Sequence, residues 1–175
     1  MTPRRLLLSG LFLWCAAIAA TPLLSSLGGA GAGAASLSYE FFSRVCHQLD
    51  SRSFHIAGYK MAVCIRCTSI YAAFFLSVLF SPMLSRTFLA AVPARVLLIA
   101  SGLPMAVDVG LAALGIHESN VFTRMTSGAL FGCALSIVLV PTLDEVIGWL
   151  FFRRDSKQNW QSVPKESLNT LRQSG

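Results

Sequence analysis

Four stretches of this sequence are each about as long as a membrane is thick, and each is bounded by charge. Leu6 to Leu24 carries no charge at all. Cys67 to Ser85 lies between Arg66 and Arg86, and Met125 to Leu143 between Arg124 and Asp144. Val96 to Ile116 lies between Arg95 and His117, with Asp108 as its one charge. Crossing ~30 Å of hydrocarbon takes ~20 helical residues, and a helix satisfies its own backbone polar groups where no water can. The expected fold is therefore all-α: an integral membrane bundle of four transmembrane helices over about 6–24, 67–85, 96–116 and 125–143. These form a single transmembrane domain, residues 1–152, followed by a polar cytoplasmic tail, 153–175. Composition agrees, with 13% charged residues and a mean hydropathy of +0.63, against about 25% charge in a soluble domain.

Arg4 and Arg5 before the first run, and the small residues after it, also fit a cleaved signal peptide. Its 19 residues exceed the usual apolar region of about 7–15, which favours a retained helix. Orientation follows the basic residues. With the N-terminus inside, Arg4, Arg5, Arg86, Arg95, Arg153, Arg154, Lys157, Lys165 and Arg172 are cytoplasmic. They outnumber Arg44, Arg52, Lys60, Arg66 and Arg124 outside. The expectation is a multi-pass protein of the cell (inner) membrane with both termini cytoplasmic. The net charge of +6 then reflects topology, since the basic residues flank helices and form no aromatic-interleaved patch for nucleic acid.

Between the first two runs, Gly28 to Ala35 (GGAGAGAA) reads as a flexible or re-entrant link. SLSYEFFSRVCHQL, from Ser36, reads as a short interfacial helix: Leu37, Phe41, Val45 and Leu49 recur every fourth position, with Phe42 and Cys46 on the adjoining row. Asp50 to Val63 reads as a polar loop. A short loop with Pro93 joins the second and third spans, and an HESN turn, 117–120, joins the third and fourth. DEVIGWLFF, 144–152, continues the last helix, with Trp149 as an interfacial anchor.

The residues 46–67, CHQLDSRSFHIAGYKMAVCIRC, hold three of five cysteines and two of three histidines. Cys64 and Cys67 form a CxxC, a spacing that suits one metal ion or one disulfide. Cys46 adds a third thiolate, and His47, or alternatively His55, a fourth ligand. Zinc or iron is the expected cofactor. Cys46 and His47 point about 100° apart if helical, so three thiolates plus His55 or water fit equally. A structural or redox-active CxxC is the competing reading. Cys15 and Cys133 lie in apolar runs without polar company and read as packed residues.

Asp108 within the third run costs at least ~2.5 kcal/mol if charged and unpaired in the membrane. Arg124 enters the fourth run from the same side, so an intramembrane Asp108–Arg124 pair is expected, either fixing helix register or catalytic. Arg52, Arg66, Glu118 and Asn120 converge on the same outer mouth as candidate anion or substrate residues. Gly128 and Gly132 form a GxxxG, a helix-packing device.

CHQ at 46–48, RSF at 52–54, CIRCTSIY at 64–71, PMAVD at 104–108 and ESNVFTRMTSGALFG at 118–132 resemble the motifs of a family of small bacterial and archaeal membrane proteins, domain of unknown function 2085. The resemblance covers roughly residues 37–143. It implies that Cys46, His47, Gln48, Arg52, Ser53, Cys64, Arg66, Cys67, Asp108, Ser119, Asn120 and Arg124 occupy motif positions. Ser69 stands where glycine is usual, Val109 intervenes between Asp108 and Gly110, and Ser127 replaces threonine. The family carries no established reaction, so the resemblance supports a site and not an activity.

Three functions fit. One is a metal-dependent membrane protein acting on a lipid-like or anionic small molecule, its arginines binding the head group. The second is a membrane thiol–disulfide oxidoreductase using the CxxC, although only Cys46 remains outside as a relay. The third is a small carrier or channel, which four helices could form only as a homo-oligomer.

Overall fold

In a computed structural model, the structure describes residues 3–81, 93–116 and 119–161. The chain divides into two units, residues 1–140 and 141–175. The first holds α1 (Pro3–Ser26), α2 (Gly29–Ser43), a 3₁₀ turn (Asp50–Arg52), β1 (Ser53–Ile56), β2 (Tyr59–Cys64), α3 (Ile65–Phe80) and α4 (Ala94–Ala113). The helix α5 (Val121–Gln161) contributes to both units.

Among the described residues, three helical segments are long and apolar enough to cross a membrane: Arg4–Ser26, Ala94–Ala113 and Val121–Leu143, with mean hydropathies of 2.0, 1.9 and 1.8. The second expected span is shorter as a helix, since α3 is apolar but has 16 residues, or about 24 Å at 1.5 Å per residue. Positions 82–85, the rest of that span, lie outside the described residues, as do His117, Glu118, the 82–92 part of the Pro93 loop and residues 162–175. The Trp149 side chain lies outside the description too. The last helix runs to Gln161, nine residues past Phe152 and into the expected polar tail.

The glycine-rich link is helical from Gly29 onward, which corrects the flexible reading. Gly28 and Gly29 take left-handed φ of 64° and 49°, turning the chain so that α2 runs back along α1. A Cβ on Gly31 would lie 2.7 Å from the Leu24 carbonyl oxygen. At Gly31 the missing Cβ permits this close approach, a device common in membrane helix pairs. Thr21 Oγ1 and Ser38 Oγ then meet at 2.6 Å, and Trp14 stacks edge-on against Phe42 at 5.2 Å. The row Leu37, Phe41, Val45 and Leu49 faces outward, while Phe42 and Cys46 turn inward.

Arg4, at the start of α1, donates to the Val78 and Leu79 carbonyls at 3.0 and 3.2 Å, satisfying acceptors that the end of α3 leaves open. Trp14, halfway along α1, reaches Tyr71 of α3 at 5.6 Å. So α3 flanks the first half of α1 and α2 the second.

The expected polar loop is instead a β-hairpin, a second correction. Ala57 and Gly58, both at positive φ (52° and 82°), make its two-residue turn, which matches strand twist. Pairing moves from Ile56↔Tyr59 and His55↔Lys60 to Ser53↔Cys64, a shift that places extra residues in β2. A regular strand would alternate faces. The bulge allows Met61, Ala62 and Val63 all to be buried, and they form a core with Ile18, Phe42 and Cys46.

The remaining helices are joined by short-range devices. A Cβ on Gly128 would lie 2.7 Å from the Arg66 carbonyl oxygen, and one on Gly132 would collide with that of Ile70. The GxxxG is the crossing point of α5 on α3. At the end of α4, Gly115 (φ 70°) closes the helix, the Ile116 N–H reaching Leu111 O at 3.1 Å.

Candidate functional site

The hairpin brings the sulfur together. Cys46 follows the end of α2, Cys64 ends β2, and Cys67 lies in the first turn of α3. Their three Sγ atoms are all within 4.8 Å of one another. Cys46 is buried, and Cys64 and Cys67 half-buried. The Cys64 backbone N–H donates to Cys46 Sγ at 3.2 Å. No disulfide joins the five cysteines. The Cys64 thiol is pulled down to about 5, chiefly by the Cys67 thiol donating to its sulfur. Burial opposes the shift, while the N–H groups of Cys67 and Arg66 and the Cys46 side chain support it. The shift favours the charged form of the Cys64 sulfur, the form that binds metal or attacks a disulfide.

The cluster lies beside Ile18 and Trp14, about 12 Å along α1 from its Ser26 end at 1.5 Å per residue. It sits at the head of α3, under the hairpin and α2.

Neither histidine falls in the sulfur group. His47 follows Cys46 but is exposed. His55, in β1, pairs with Asp50 at 3.2 Å. Gln48, the third residue of the CHQ motif, acts as a latch. It adopts φ 50°, donates from Nε2 to Tyr39 O at 2.7 Å, and accepts from Lys60 Nζ on its own carbonyl at 3.1 Å. The Tyr39 hydroxyl in turn reaches Lys60 O at 2.5 Å. This circuit ties α2 to the hairpin and fixes the backbone beside Cys46.

The intramembrane acid has a different partner from the one expected. Asp108 forms its direct ion pair with Arg66 of α3, the two side chains 10% and 18% exposed. Arg124 reaches it indirectly. Its Nε donates to Ser119 Oγ at 3.0 Å, and Ser119 donates to Asp108 Oδ2 at 2.7 Å. The reason is steric. Arg66 sits at the head of α3 facing α4, whereas Ser119, just before α5, stands between Arg124 and the carboxylate. Ser119 is the bridging residue that charge pairing alone does not reveal, although the motif containing it was recognisable.

The candidate anion residues separate. Arg52 and Arg66 line one cleft of about 200 Å³ together with Ser119 and Arg124. Asn120 faces its own helix, its Oδ1 accepting the Thr123 N–H at 2.9 Å, an N-cap for α5. Glu118 lies outside the described residues.

Comparison with known proteins agrees with the motif reading. Residues 46–138 match the family described as "Predicted membrane protein (DUF2085)". An uncharacterized protein of Methanocaldococcus jannaschii is 34% identical over 109 residues, covering 62% of this chain and 70% of that one. Another, of Methanothermobacter thermautotrophicus, is 30% identical over 97 residues, covering 55% and 86%. No solved structure matches the chain. Since the family match takes in more than half of the sequence, from the first clustered cysteine through most of the apolar part of α5, the chain belongs to the multi-pass membrane protein family DUF2085.

Proposed function

We propose that this protein is a metal-dependent membrane protein, with Cys46, Cys64 and Cys67 holding one zinc or iron ion at the mouth of a four-span bundle. The observation that carries the reading is the convergence of three sulfurs from three separate segments to within 4.8 Å. Tetrahedral thiolate zinc, with bonds of about 2.3 Å, places its sulfurs about 3.8 Å apart. Small side-chain movements close that difference. Thiolate sulfur suits both zinc and iron, and the Cys64 N–H aimed at Cys46 Sγ favours the charged ligand. Three protein ligands leave one position for water, for His47 or for a substrate group, the pattern of catalytic zinc sites. The four spans are about 6–24, 67–85, 96–116 and 125–143, with both termini in the cytoplasm. A fusion-reporter map of the termini tests that arrangement.

Cobalt(II) loaded into the purified protein tests the site. It should give an intense thiolate-to-cobalt charge-transfer absorption, lost in each of Cys46→Ser, Cys64→Ser and Cys67→Ser. A folded protein whose spectrum shows no such band would overturn the reading.

The closeness of the free Cys64 and Cys67 sulfurs at CxxC spacing favours a second reading, thiol–disulfide exchange. Cys64 would attack a substrate disulfide, and Cys67 would resolve the mixed disulfide, leaving the substrate reduced and Cys64–Cys67 oxidised. In that case Cys67→Ser traps the mixed disulfide, whereas a metal site gives no trapped adduct.

A further inference from the structure

Three guanidinium groups surround the cleft formed by the head of α3, the end of α4 and the start of α5. Arg66 comes from α3, Arg124 from α5 and Arg52 from the 3₁₀ turn before the hairpin, with Val109 and Ala112 of α4 forming an apolar wall. Like charges gathered this closely repel one another unless something compensates them. Among the described residues, the compensation is one carboxylate, Asp108, already paired with Arg66 and bonded by Ser119. The Cys64 sulfur also acts on Arg124 as a negative charge, and the three guanidinium groups still outnumber the compensating groups among the described residues.

Donors remain as well as charge. Arg66 Nε is shut off from solvent and has no hydrogen-bond partner. Arg124 uses its Nε on Ser119. The Arg52 guanidinium makes no ion pair among the described residues, and its backbone N–H is spent on Leu49 O at 3.0 Å. The Asp108–Ser119 network does more than neutralise. It holds Arg66 and Arg124 in fixed directions on two different helices, so the fork of each is placed before any ligand arrives.

We infer that this cleft is a binding site for a phosphate-bearing anion, with Arg52, Arg66 and Arg124 as its ligands and Ser119 positioning Arg124. The excess of positive charge suits the negative charge of a phosphate group. Planar guanidinium forks match phosphate oxygens two at a time. The volume of about 200 Å³ is below the ~300–1,000 Å³ of sites that enclose drug-sized molecules. It takes a phosphate and leaves the rest of the molecule outside. The cleft is built where three helices end or begin, the level at which a bilayer presents its head groups. A monoester lipid phosphate and free phosphate therefore share the required chemistry. The inference does not depend on the metal, because no cysteine lines the cleft.

The test uses the full-length protein in nanodiscs and measures thermal unfolding. One arm titrates inorganic phosphate into discs of phosphatidylcholine, with chloride at matched ionic strength as control. The other adds phosphatidic acid to the discs, with phosphatidylserine at equal surface charge as control. Stabilisation by inorganic phosphate beyond chloride identifies a free anion. Stabilisation by phosphatidic acid beyond phosphatidylserine, without a response to inorganic phosphate, identifies the lipid. In either case Arg52→Gln, an exposed position whose change leaves the Asp108 network intact, should weaken the response about tenfold or more. Arg124→Lys, which keeps the charge but loses the fork, should weaken it in the same direction. Equal responses in wild type and Arg52→Gln, or no response in either arm, would overturn the inference.

Discussion

Removing the charge of Asp108 tests how the helices are held together. Its carboxylate is 10% exposed and its partner Arg66 18%, so Asp108→Asn strands a guanidinium that has little access to water. Breaking one side of a buried ion pair typically costs about 3–5 kcal/mol. Asp108 also accepts from Ser119, which places the expected loss within that range. The same geometry predicts where the loss is shared. In a double-mutant cycle with Arg66→Met, the coupling to Asp108 should be about 2 kcal/mol or more, since the double variant no longer buries a lone charge. With Arg124→Met the coupling should stay below about 1 kcal/mol, because Arg124 meets Asp108 only through Ser119. The assay is reversible unfolding in mixed detergent micelles, with helicity read by circular dichroism for all variants under one condition. A coupling to Arg124 larger than that to Arg66 would refute the assignment and restore the pair anticipated from sequence.

Other substitutions probe the remaining joints. Gly132→Ala should destabilise by about 1–3 kcal/mol, the range for overpacking, because its Cβ meets the Ile70 backbone; the same unfolding assay reads it. Ala57→Gly at φ 52° should stabilise the hairpin by about 0.5–1 kcal/mol, by relieving a left-handed alanine, and slow amide exchange in β1 and β2 would register it. His55→Ala should leave cobalt loading unchanged, since that ring is engaged with Asp50, whereas any of the three clustered cysteines changed to serine should abolish it.

How much of this was readable in the sequence depends on the length scale of each interaction. Charge-free runs announce helices because the rule behind them is local and strong, and the GxxxG announced a helix crossing for the same reason. The hairpin carried its signal in weaker form. SFHI and YKMAVC are short apolar segments separated by Ala57 and Gly58, but alanine is not a usual turn residue, and the bulge removes alternation from β2. The glycine-rich run misled because glycine is a poor helix former in water, while here Gly28 and Gly29 make the turn at positive φ and Gly31 passes close to the Leu24 carbonyl. The partner of Asp108 was the least legible feature. Arg124 is near in sequence, whereas Arg66 lies 42 positions away, and only the crossing of α3 with its neighbours brings it within reach. The three cysteines, whose sulfurs lie within 4.8 Å of one another, were readable as a group because CxxC links two of them and the third adjoins a recognised motif.

Metal content per chain decides whether Cys46, Cys64 and Cys67 hold an ion. Protein purified anaerobically in mild detergent, beside a Cys64→Ser control, should contain about one zinc or iron ion per chain by elemental analysis, with the control empty. Metal-free protein in both samples, with a Cys64–Cys67 disulfide found by mass spectrometry, would show that the three cysteines hold no ion.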